Sequence, residues 1–359
     1  MFRAIWALLA AAVSVSAGCQ PEPIPLPAPP QMLEWTASNN LSAKVIRSVP
    51  PGSLNKPEGW NAATAAEITG TAPLWQRGDT AVPIAVTGGT LLPYADTLAR
   101  TGSGELYMAR NTALLVRPDG QVVWFSTGSQ VGGVAVPAPA GQWFWPGGGV
   151  PSGQGAVLFG SLWSPGGGVY GTRHGPAVSD FITAPAMARP VNLNPAITWG
   201  TPWRDGDTVY LPGFDPATWQ QHLARHPYSP TAAGYVDGWT TQALQIDQGP
   251  LGPLSLRTHA GGWLATAKIL GSAPELNYEE TPEIFAWTSP TPTGPYRRVG
   301  VVHPDTRRPG TRSYQGSLQE LPGAGLVASW SRNVMPGNTG GPDEYGTIFA
   351  PGWWPLRIV

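Results

Sequence analysis

The chain has 359 residues, including 46 Gly and 41 Pro, with 12% charged residues and a formal net charge of −1 at pH 7. The near-zero net charge and the lack of basic runs exclude a nucleic-acid-binding protein, which needs a basic patch. Gly and Pro at this density, spread between short apolar runs, argue against long helices. We therefore expect an all-β protein.

The first residues have the features of an export signal. Arg3 gives a positive start, an apolar run too short to span a bilayer follows over 4–15, and small residues lead to Cys19. Cys19 is the only cysteine, so it cannot form an internal disulfide. We predict a lipoprotein-type signal peptide over 1–18 and lipidation of Cys19, which would anchor the protein to a membrane. Plain secretion is the alternative, because Ser16 stands where such signals usually carry Leu.

Three further segments follow the predicted signal. Residues 19–35 form a Pro-rich linker, since closely spaced prolines favour an extended polyproline II spacer. Residues 36–72 are an N-terminal extension to which the sequence assigns no function. Residues 73–359 are predicted to be one folded domain.

Short strands with frequent turn residues dominate this domain, as in a sandwich, a barrel or a propeller. Similar elements recur about every 50–60 residues, close to one four-stranded blade. We therefore predict a five-bladed β-propeller. The clearest strand predictions are Leu106–Met108, Thr112–Val116, Gln121–Ser126, Gly155–Leu162, Val209–Leu211, Leu254–Arg257, Trp263–Lys268, Glu283–Thr288 and Leu326–Ser331.

One predicted hairpin carries two carboxylates. Apolar runs flank Gly88-Gly89, which is a tight-turn signal. With these two glycines as the loop, Asp79 and Asp96 are diagonal neighbours on one face of the hairpin. Diagonal partners are close enough for a pair of carboxyl groups to perform glycoside hydrolysis. The alternative is that Asp79 is a turn aspartate and Asp96 an incidental polar residue.

The 17 Trp residues have two interpretations. Propeller blades bury large aromatic side chains between sheets. Exposed aromatic rings also stack on the apolar faces of sugars. Core packing is the favoured interpretation for a given Trp. Loop exposure gains weight for those beside Gly/Pro bends, which are Trp143, Trp145, Trp163, Trp199, Trp203 and Trp239.

Metal and cofactor chemistry has little support. His222 and His226 have the spacing of a metal pair on one helical turn, but no Glu follows His222 and no cysteine supplies a third ligand. We predict no metal site and no cofactor, while a structural calcium ion remains open.

Several short motifs resemble, in their order along the chain, a propeller family long known only as a domain of unknown function. That family includes actinobacterial endo-D-arabinanases. The motifs are Gly78-Asp79-Thr80, Leu91-Leu92-Pro93-Tyr94-Ala95-Asp96-Thr97, Asn111-Thr112-Ala113-Leu114-Leu115-Val116, Trp145-Pro146-Gly147-Gly148-Gly149-Val150, Trp199-Gly200-Thr201-Pro202-Trp203, Gly238-Trp239, Trp287-Thr288-Ser289 before Gly294-Pro295-Tyr296, and Ser329-Trp330-Ser331-Arg332-Asn333.

The resemblance implies a five-bladed propeller with its site at one end of the central channel. Asp79 and Asp96 would be the catalytic carboxylates. Substrate contacts would come from Asn111, Trp145, Trp199, Trp203, Trp239 and Asn333. The chain departs from the family pattern at Ala95, where the family has Gly, and at Gly148, where some relatives carry an acid.

Together these observations predict an extracytoplasmic glycoside hydrolase acting on a furanose-rich cell-wall polysaccharide such as arabinan. One of Asp79 and Asp96 would be the general acid and the other the nucleophile or base. The alternative is a propeller lipoprotein of the envelope that binds a glycan or a protein without catalysis. The expected partners are the polysaccharide and, through Cys19, the membrane; we expect a monomer.

Overall fold

The computed structural model describes residues 74–100, 106–117, 122–125, 134–153, 155–166, 171–181, 187–247, 251–259, 261–269, 283–304, 311–321, 325–334 and 346–351. The predicted signal, linker and extension, including Cys19, lie outside these residues. Within the described ranges no helix is long and apolar enough to cross a membrane.

Strands make up most of the described structure, and the described residues also contain a short 3-10 helix at Ala232–Tyr235. The strands are β1 (Leu74–Gly78), β2 (Ile84–Val86), β3 (Gly89–Tyr94), β4 (Thr97–Arg100), β5 (Leu106–Ala109), β6 (Thr112–Val116), β7 (Val122–Phe125), β8 (Trp143–Ser152), β9 (Gly155–Ser164), β10 (Thr172–Phe181), β11 (Arg189–Pro190), β12 (Thr198–Trp199), β13 (Trp203–Asp205), β14 (Thr208–Phe214), β15 (Gln221–Pro227), β16 (Thr240–Ala243), β17 (Ser255–His259), β18 (Gly262–Ala267), β19 (Glu283–Ser289), β20 (Arg297–Pro304), β21 (Thr311–Leu321), β22 (Gly325–Val334) and β23 (Gly346–Pro351).

The strands form four blades of a propeller-like fold. Blade 1 is β2-β3-β6-β7, blade 2 is β8-β9-β10-β11, blade 3 is β12-β14-β15-β16 with β13 also paired to β14, and blade 4 is β17-β18-β19-β20. Strands β21-β22-β23 form a further three-stranded sheet, called here the closing sheet. The all-β, propeller-like prediction is confirmed with four blades; the count of five stays a prediction.

A smaller sheet, β1-β4-β5, continues the strands of blade 1 beyond a bend. Gly78 pairs with Thr97 on the β1–β4 side of the bend, and Ile84 pairs with Leu91 on the β2–β3 side. The two pairs have the same register. The register between β4 and β5 likewise matches that between β3 and β6. Asp79 and Asp96 lie at the bend, between the two parts of this long hairpin.

The core lies between successive blades because alternate residues of a strand point to opposite faces of its sheet. In β9, Ala156 and Leu158 pack in the apolar cluster shared with blade 1, whereas Val157 and Phe159 pack in the cluster shared with blade 3. Similar clusters join blade 3 to blade 4 and blade 4 to the closing sheet. Sheets covered on both faces explain why the strands read as continuous apolar runs.

Hydrogen bonds and a bridge also join neighbouring sheets around the central axis. They are Thr80 Oγ1 to the Pro146 carbonyl (3.5 Å), Thr201 Oγ1 to the Gly147 carbonyl (3.1 Å), a parallel bridge between Thr201 and Ser255, the Leu318 N–H to Thr266 Oγ1 (3.1 Å) and the Thr80 N–H to Ser331 Oγ (2.8 Å). The last of these links the closing sheet back to the chain that leads into blade 1.

Most strand predictions are confirmed to within a few residues; Thr112–Val116 matches β6 at both ends. The helical interpretation of His222 and His226 is wrong, because both lie in strand β15. Four residues along a strand span about 13 Å, too far for two side chains to share one metal ion. His226 is instead buried, and its Nε2 bonds the Asp237 carbonyl at 2.8 Å.

Candidate functional site

The two predicted carboxylates face each other at the bend, but through a different register from the predicted one. The loop residues are Thr87 and Gly88, and Gly89 already belongs to β3, where it pairs with Val86. The diagonal register is therefore wrong. The Asp79 N–H donates to the Asp96 carbonyl and the Ala95 N–H donates to the Asp79 carbonyl, each over 2.9 Å. Asp79 thus lies directly across from Asp96.

Asp79 is buried at the contact between this hairpin and the closing sheet. Its side chain is 8% exposed, and the Tyr314 hydroxyl donates a hydrogen bond to Oδ2. Its other oxygen, Oδ1, is buried and has no hydrogen-bond partner in the described part of the chain. A buried acceptor without a donor costs free energy, so this atom is poorly suited to carry a full negative charge.

Burial raises the pKa of the Asp79 carboxyl from its ordinary 3.8 to about 6. Hydrogen bonds from the Tyr314 and Ser331 side chains oppose the rise, and the negative charge of Asp96 adds to it. A buried carboxyl next to a second carboxylate holds its proton to higher pH, as a general acid requires.

Asp96 has different surroundings. Its side chain is 23% exposed, the Trp145 indole N–H donates to Oδ1 at 3.0 Å, and Arg110 Nη1 lies 3.5 Å from the same oxygen. Burial raises the pKa of Asp96, while the Arg110 charge and the hydrogen bonds from Trp145 and Arg110 oppose that rise. Because it has a cation and a donor, Asp96 is the better stabilised of the two carboxylates in its ionised form.

Two strained backbone positions flank the contact between Asp79 and Tyr314. Thr80 has φ of 57° and Gln315 has φ of 55°, and each directly follows one partner of the hydrogen bond. A β-branched residue rarely adopts positive φ, and such positions cost on the order of 1–3 kcal/mol. The surrounding hydrogen bonds, including that from the Thr80 N–H to Ser331, hold this geometry in place.

A small cavity lies near the central axis, beside the site. Its volume is about 60 Å³, and residues near the innermost strands line it, among them Thr80, Gly147, Thr201, Ser255 and Gln315. Ligand pockets are usually about 300–1,000 Å³. This cavity is therefore too small for a sugar, and Asp96, which is 23% exposed, is the more accessible of the two carboxylates.

Aromatic rings surround that more exposed side. The Trp145 ring lies 4.7 Å from the Trp163 ring and 5.8 Å from the Trp143 ring, between centroids. The Arg110 guanidinium sits 4.4 Å from the centre of the Trp143 ring. Trp145 is the predicted substrate-binding tryptophan that the structure brings to the carboxylates. Its hydrogen bond to Asp96 also gives it a positioning role.

The other predicted tryptophans lie elsewhere. Trp199 lines the axial cavity, and its indole N–H donates to the Asn194 carbonyl at 3.2 Å. Trp203 packs against the core between blades 3 and 4. Trp239 packs against the core between blades 2 and 3 and donates to the Tyr235 carbonyl at 2.7 Å. Trp203 and Trp239 thus serve as packing residues, because their rings face apolar clusters.

Asn111 is not placed to contact substrate. It is 1% exposed, and its amide bonds the backbone of Val136 and the carbonyl of Phe144 over 2.8–3.2 Å. This amide joins blade 1 to the start of blade 2. Asn333 lies in β22, but its side chain is outside the described residues, as is the whole of Cys19.

The two departures from the family pattern fit this backbone. Ala95 is buried and does not have positive φ, so its position does not require glycine. Gly148 has φ of 142°, and a Cβ there would lie 3.1 Å from both Pro202 and Thr201. An acid at position 148 would therefore need these neighbours to move.

Sequence reasoning did not identify Tyr314, Ser331 or Arg110 as neighbours of the carboxylates. Arg110 lies opposite Asp96 across the bend and immediately precedes the Asn111 motif. Ser331 lies inside the Ser329–Asn333 motif, which was the available signal for it. Tyr314 is 235 residues from Asp79 and belongs to no motif, so local sequence could not have identified it.

Comparisons with known proteins give a fold and no family. The sequence matches no protein-family model and no curated protein. Among solved structures, a candidate hydrolase from Bacteroides ovatus is similar with a TM-score of 0.55 and 14% identity, over 79% of this chain and 87% of that one. A GH43_1 enzyme from Xanthomonas citri, solved with xylotriose, is similar with a TM-score of 0.52 and 15% identity, over 86% and 92%.

The chain therefore has a propeller fold like that of glycoside hydrolases. At identities of 14–15% this likeness is one of fold, and the chemistry rests on the site itself.

Proposed function

We propose that this protein is a glycoside hydrolase that uses Asp79 and Asp96. The observation that carries the proposal is the contrast between two neighbouring carboxylates. Asp79 is buried with a pKa raised to about 6, and Asp96 is partly exposed beside Arg110 and Trp145. Two carboxylates whose environments differ in this way suit an acid and a base or nucleophile.

In the proposed mechanism Asp79 is the general acid. Its proton passes to the glycosidic oxygen as the bond to the anomeric carbon breaks. Asp96, ionised beside Arg110, either attacks the anomeric carbon or takes a proton from the attacking water. The separation of the two carboxyl groups decides between retention and inversion of configuration.

The proposed substrate is a furanose-rich cell-wall polysaccharide such as arabinan, which the order of the sequence motifs supports. The proposal includes an extracytoplasmic location, a lipid anchor at Cys19 and a monomeric state. It also includes the closing sheet as the fifth blade. In its support, contacts around the axis join each sheet to the next and the closing sheet to Thr80.

The test is hydrolysis of arabinogalactan or lipoarabinomannan by the purified protein, followed by chromatography of released oligosaccharides. Asp79→Asn and Asp96→Asn should each abolish release. Asp215→Asn is the matched control, because that side chain accepts a hydrogen bond from the Ala217 N–H in blade 3, away from the site. Retained glycan binding without release by the wild type would favour the non-catalytic propeller instead.

A further inference from the structure

A large groove lies between blades 3 and 4, on the rim of the propeller. Its volume is about 800 Å³, and its lining includes Gln220, Gln245, Asp247, Tyr296, Arg297 and Arg298. Strands β16 and β20, which flank it, are the outermost strands of their blades. The groove is therefore separate from Asp79 and Asp96 at the axis, and its size is typical of ligand pockets, about 300–1,000 Å³.

The backbone that forms the groove is held by hydrogen bonds between the two blades. The Gln245 N–H donates to the Thr293 carbonyl at 2.9 Å, and the Tyr296 N–H donates to the Gln245 carbonyl at 2.8 Å. Ile246 and Tyr296 form a parallel bridge, and the Tyr296 side chain is fully buried. The groove is thus part of the folded framework.

The Arg298 side chain packs against an aromatic ring. Its guanidinium carbon lies 4.1 Å from the centre of the Phe285 ring, a cation–π contact that fixes the side chain. Its Nε is buried and has no hydrogen-bond partner among the residues that the structure describes. Arg297, which precedes Arg298 in the chain and also lines the groove, is exposed.

We propose that this groove binds an acidic saccharide, meaning a sugar unit that carries a carboxylate or a phosphate. A guanidinium fork matches both groups through paired hydrogen bonds. Gln245 and Asp247 are exposed in the same groove and can bond sugar hydroxyls. One acid beside two arginines leaves a small positive charge, whereas anionic membranes recruit clusters of roughly 4–8 basic residues. The charge therefore favours a saccharide over a lipid surface.

The test is calorimetric titration of the full-length protein with glucuronic acid and with glucose 6-phosphate, using glucose as the neutral control. Both acidic sugars should bind, and glucose should bind at least ~10-fold more weakly, because charge-assisted hydrogen bonds are the stronger ones. Arg298→Gln should weaken binding by ~10-fold or more. Arg297→Gln, which changes an exposed side chain and so spares the fold, should also weaken it.

The control variant is Arg225→Gln in strand β15, where Arg225 is exposed and bonds Thr240 Oγ1 at 3.0 Å. It should bind like the wild type. Four results would overturn the proposal: no binding of either acidic sugar, equal binding of glucose, equal affinity for inorganic phosphate, or wild-type binding by both arginine variants. Capture on anionic phospholipid vesicles without sugar binding would point to a membrane contact instead. The proposal does not depend on hydrolysis at Asp79 and Asp96.

Discussion

Two contacts between neighbouring sheets differ in the polarity of the groups that form them. Blades 2 and 3 meet through apolar side chains, including Val157, Phe159, Val209 and Leu211. The closing sheet meets the hairpin of blade 1 through polar groups, where Tyr314 bonds Asp79 and Ser331 bonds the Thr80 N–H. We call this second contact the polar seam, defined by Asp79, Thr80, Tyr314 and Ser331.

The apolar contact stabilises the fold, whereas the polar seam includes features that cost free energy. Apolar contacts between blades remove surface from water, at about 25 cal/mol per Å². The polar seam has a buried oxygen without a partner at Asp79 and strained backbone at Thr80 and Gln315. Such costs are typical of functional sites. Substitutions in the two contacts should therefore have different, and in one case opposite, effects.

Phe159→Ala should have the largest effect on stability. The ring is 3% exposed and lies 5.1 Å from the Tyr235 ring, so its removal leaves a cavity between blades 2 and 3. We expect a loss of about 3–5 kcal/mol in the free energy of unfolding, measured by denaturant titration. The surviving folded protein should keep the pH profile of hydrolysis. A changed profile would mean that this core also positions the carboxylates.

Asp79→Asn should raise the free energy of unfolding at neutral pH, whereas Phe159→Ala lowers it. The folded pKa of about 6 exceeds the ordinary 3.8, so the folded state binds the Asp79 proton more tightly than the unfolded chain does. Ionisation of Asp79 therefore lowers the free energy of unfolding of the wild type. This loss is complete above about pH 6 and disappears as pH falls below about 4. The neutral variant should therefore be more stable at pH 7.5 by about 3 kcal/mol, and nearly equal to wild type near pH 4.

The measurement is the free energy of unfolding of both proteins at several pH values. Asp215→Asn, whose carboxylate has its pKa lowered mainly by the hydrogen bond from the Ala217 N–H, should show no such gain at pH 7.5. Equal stability of Asp79→Asn and wild type at pH 7.5 would contradict a buried charge at Asp79.

Tyr314→Phe should change activity more than stability. Its hydroxyl favours the ionised form of Asp79, so the variant should raise the pKa of Asp79 further. If Asp79 is the general acid, the fall of kcat/KM with rising pH should move to higher pH. A pH profile of kcat/KM measures this. An unmoved profile would show that Asp79 is not the group that titrates there.

Thr80→Gly should have the smallest effect on stability. Glycine adopts the observed φ of 57° without a Cβ penalty, which offsets its greater freedom in the unfolded chain. We expect the free energy of unfolding, measured by thermal denaturation, to lie within about 1 kcal/mol of the wild-type value. A loss of several kcal/mol would mean that the Thr80 side chain, through its contact with Pro146, holds the seam.

The sequence was most informative where the relevant contacts are local. Alternation and turn residues predicted β6, β9 and β19 closely, and one hairpin brought Asp79 and Asp96 together. It was misleading about the loop, since two adjacent glycines allow either Gly88-Gly89 or Thr87-Gly88 as the turn. That single-residue choice changed a diagonal pair into a direct one.

The sequence was least informative about the surroundings of the carboxylates. Trp145 is 49 residues from Asp96 and Tyr314 is 235 residues from Asp79, so only the closed arrangement of sheets brings them together. Composition alone also could not separate Trp145, beside the site, from Trp203 and Trp239, which pack in cores. Asn111 shows the same ambiguity, because a motif asparagine can bind the backbone as well as a sugar.

The long separation between Asp79 and Tyr314 has a consequence for biosynthesis. A nascent chain emerges with Asp79 early and cannot bury it until Tyr314 and Ser331 have followed. Contacts between residues so distant in sequence form late and slowly. The carboxylates should therefore acquire their unequal proton affinities only at the last stage of folding, so that a partly synthesised chain lacks the raised pKa at Asp79.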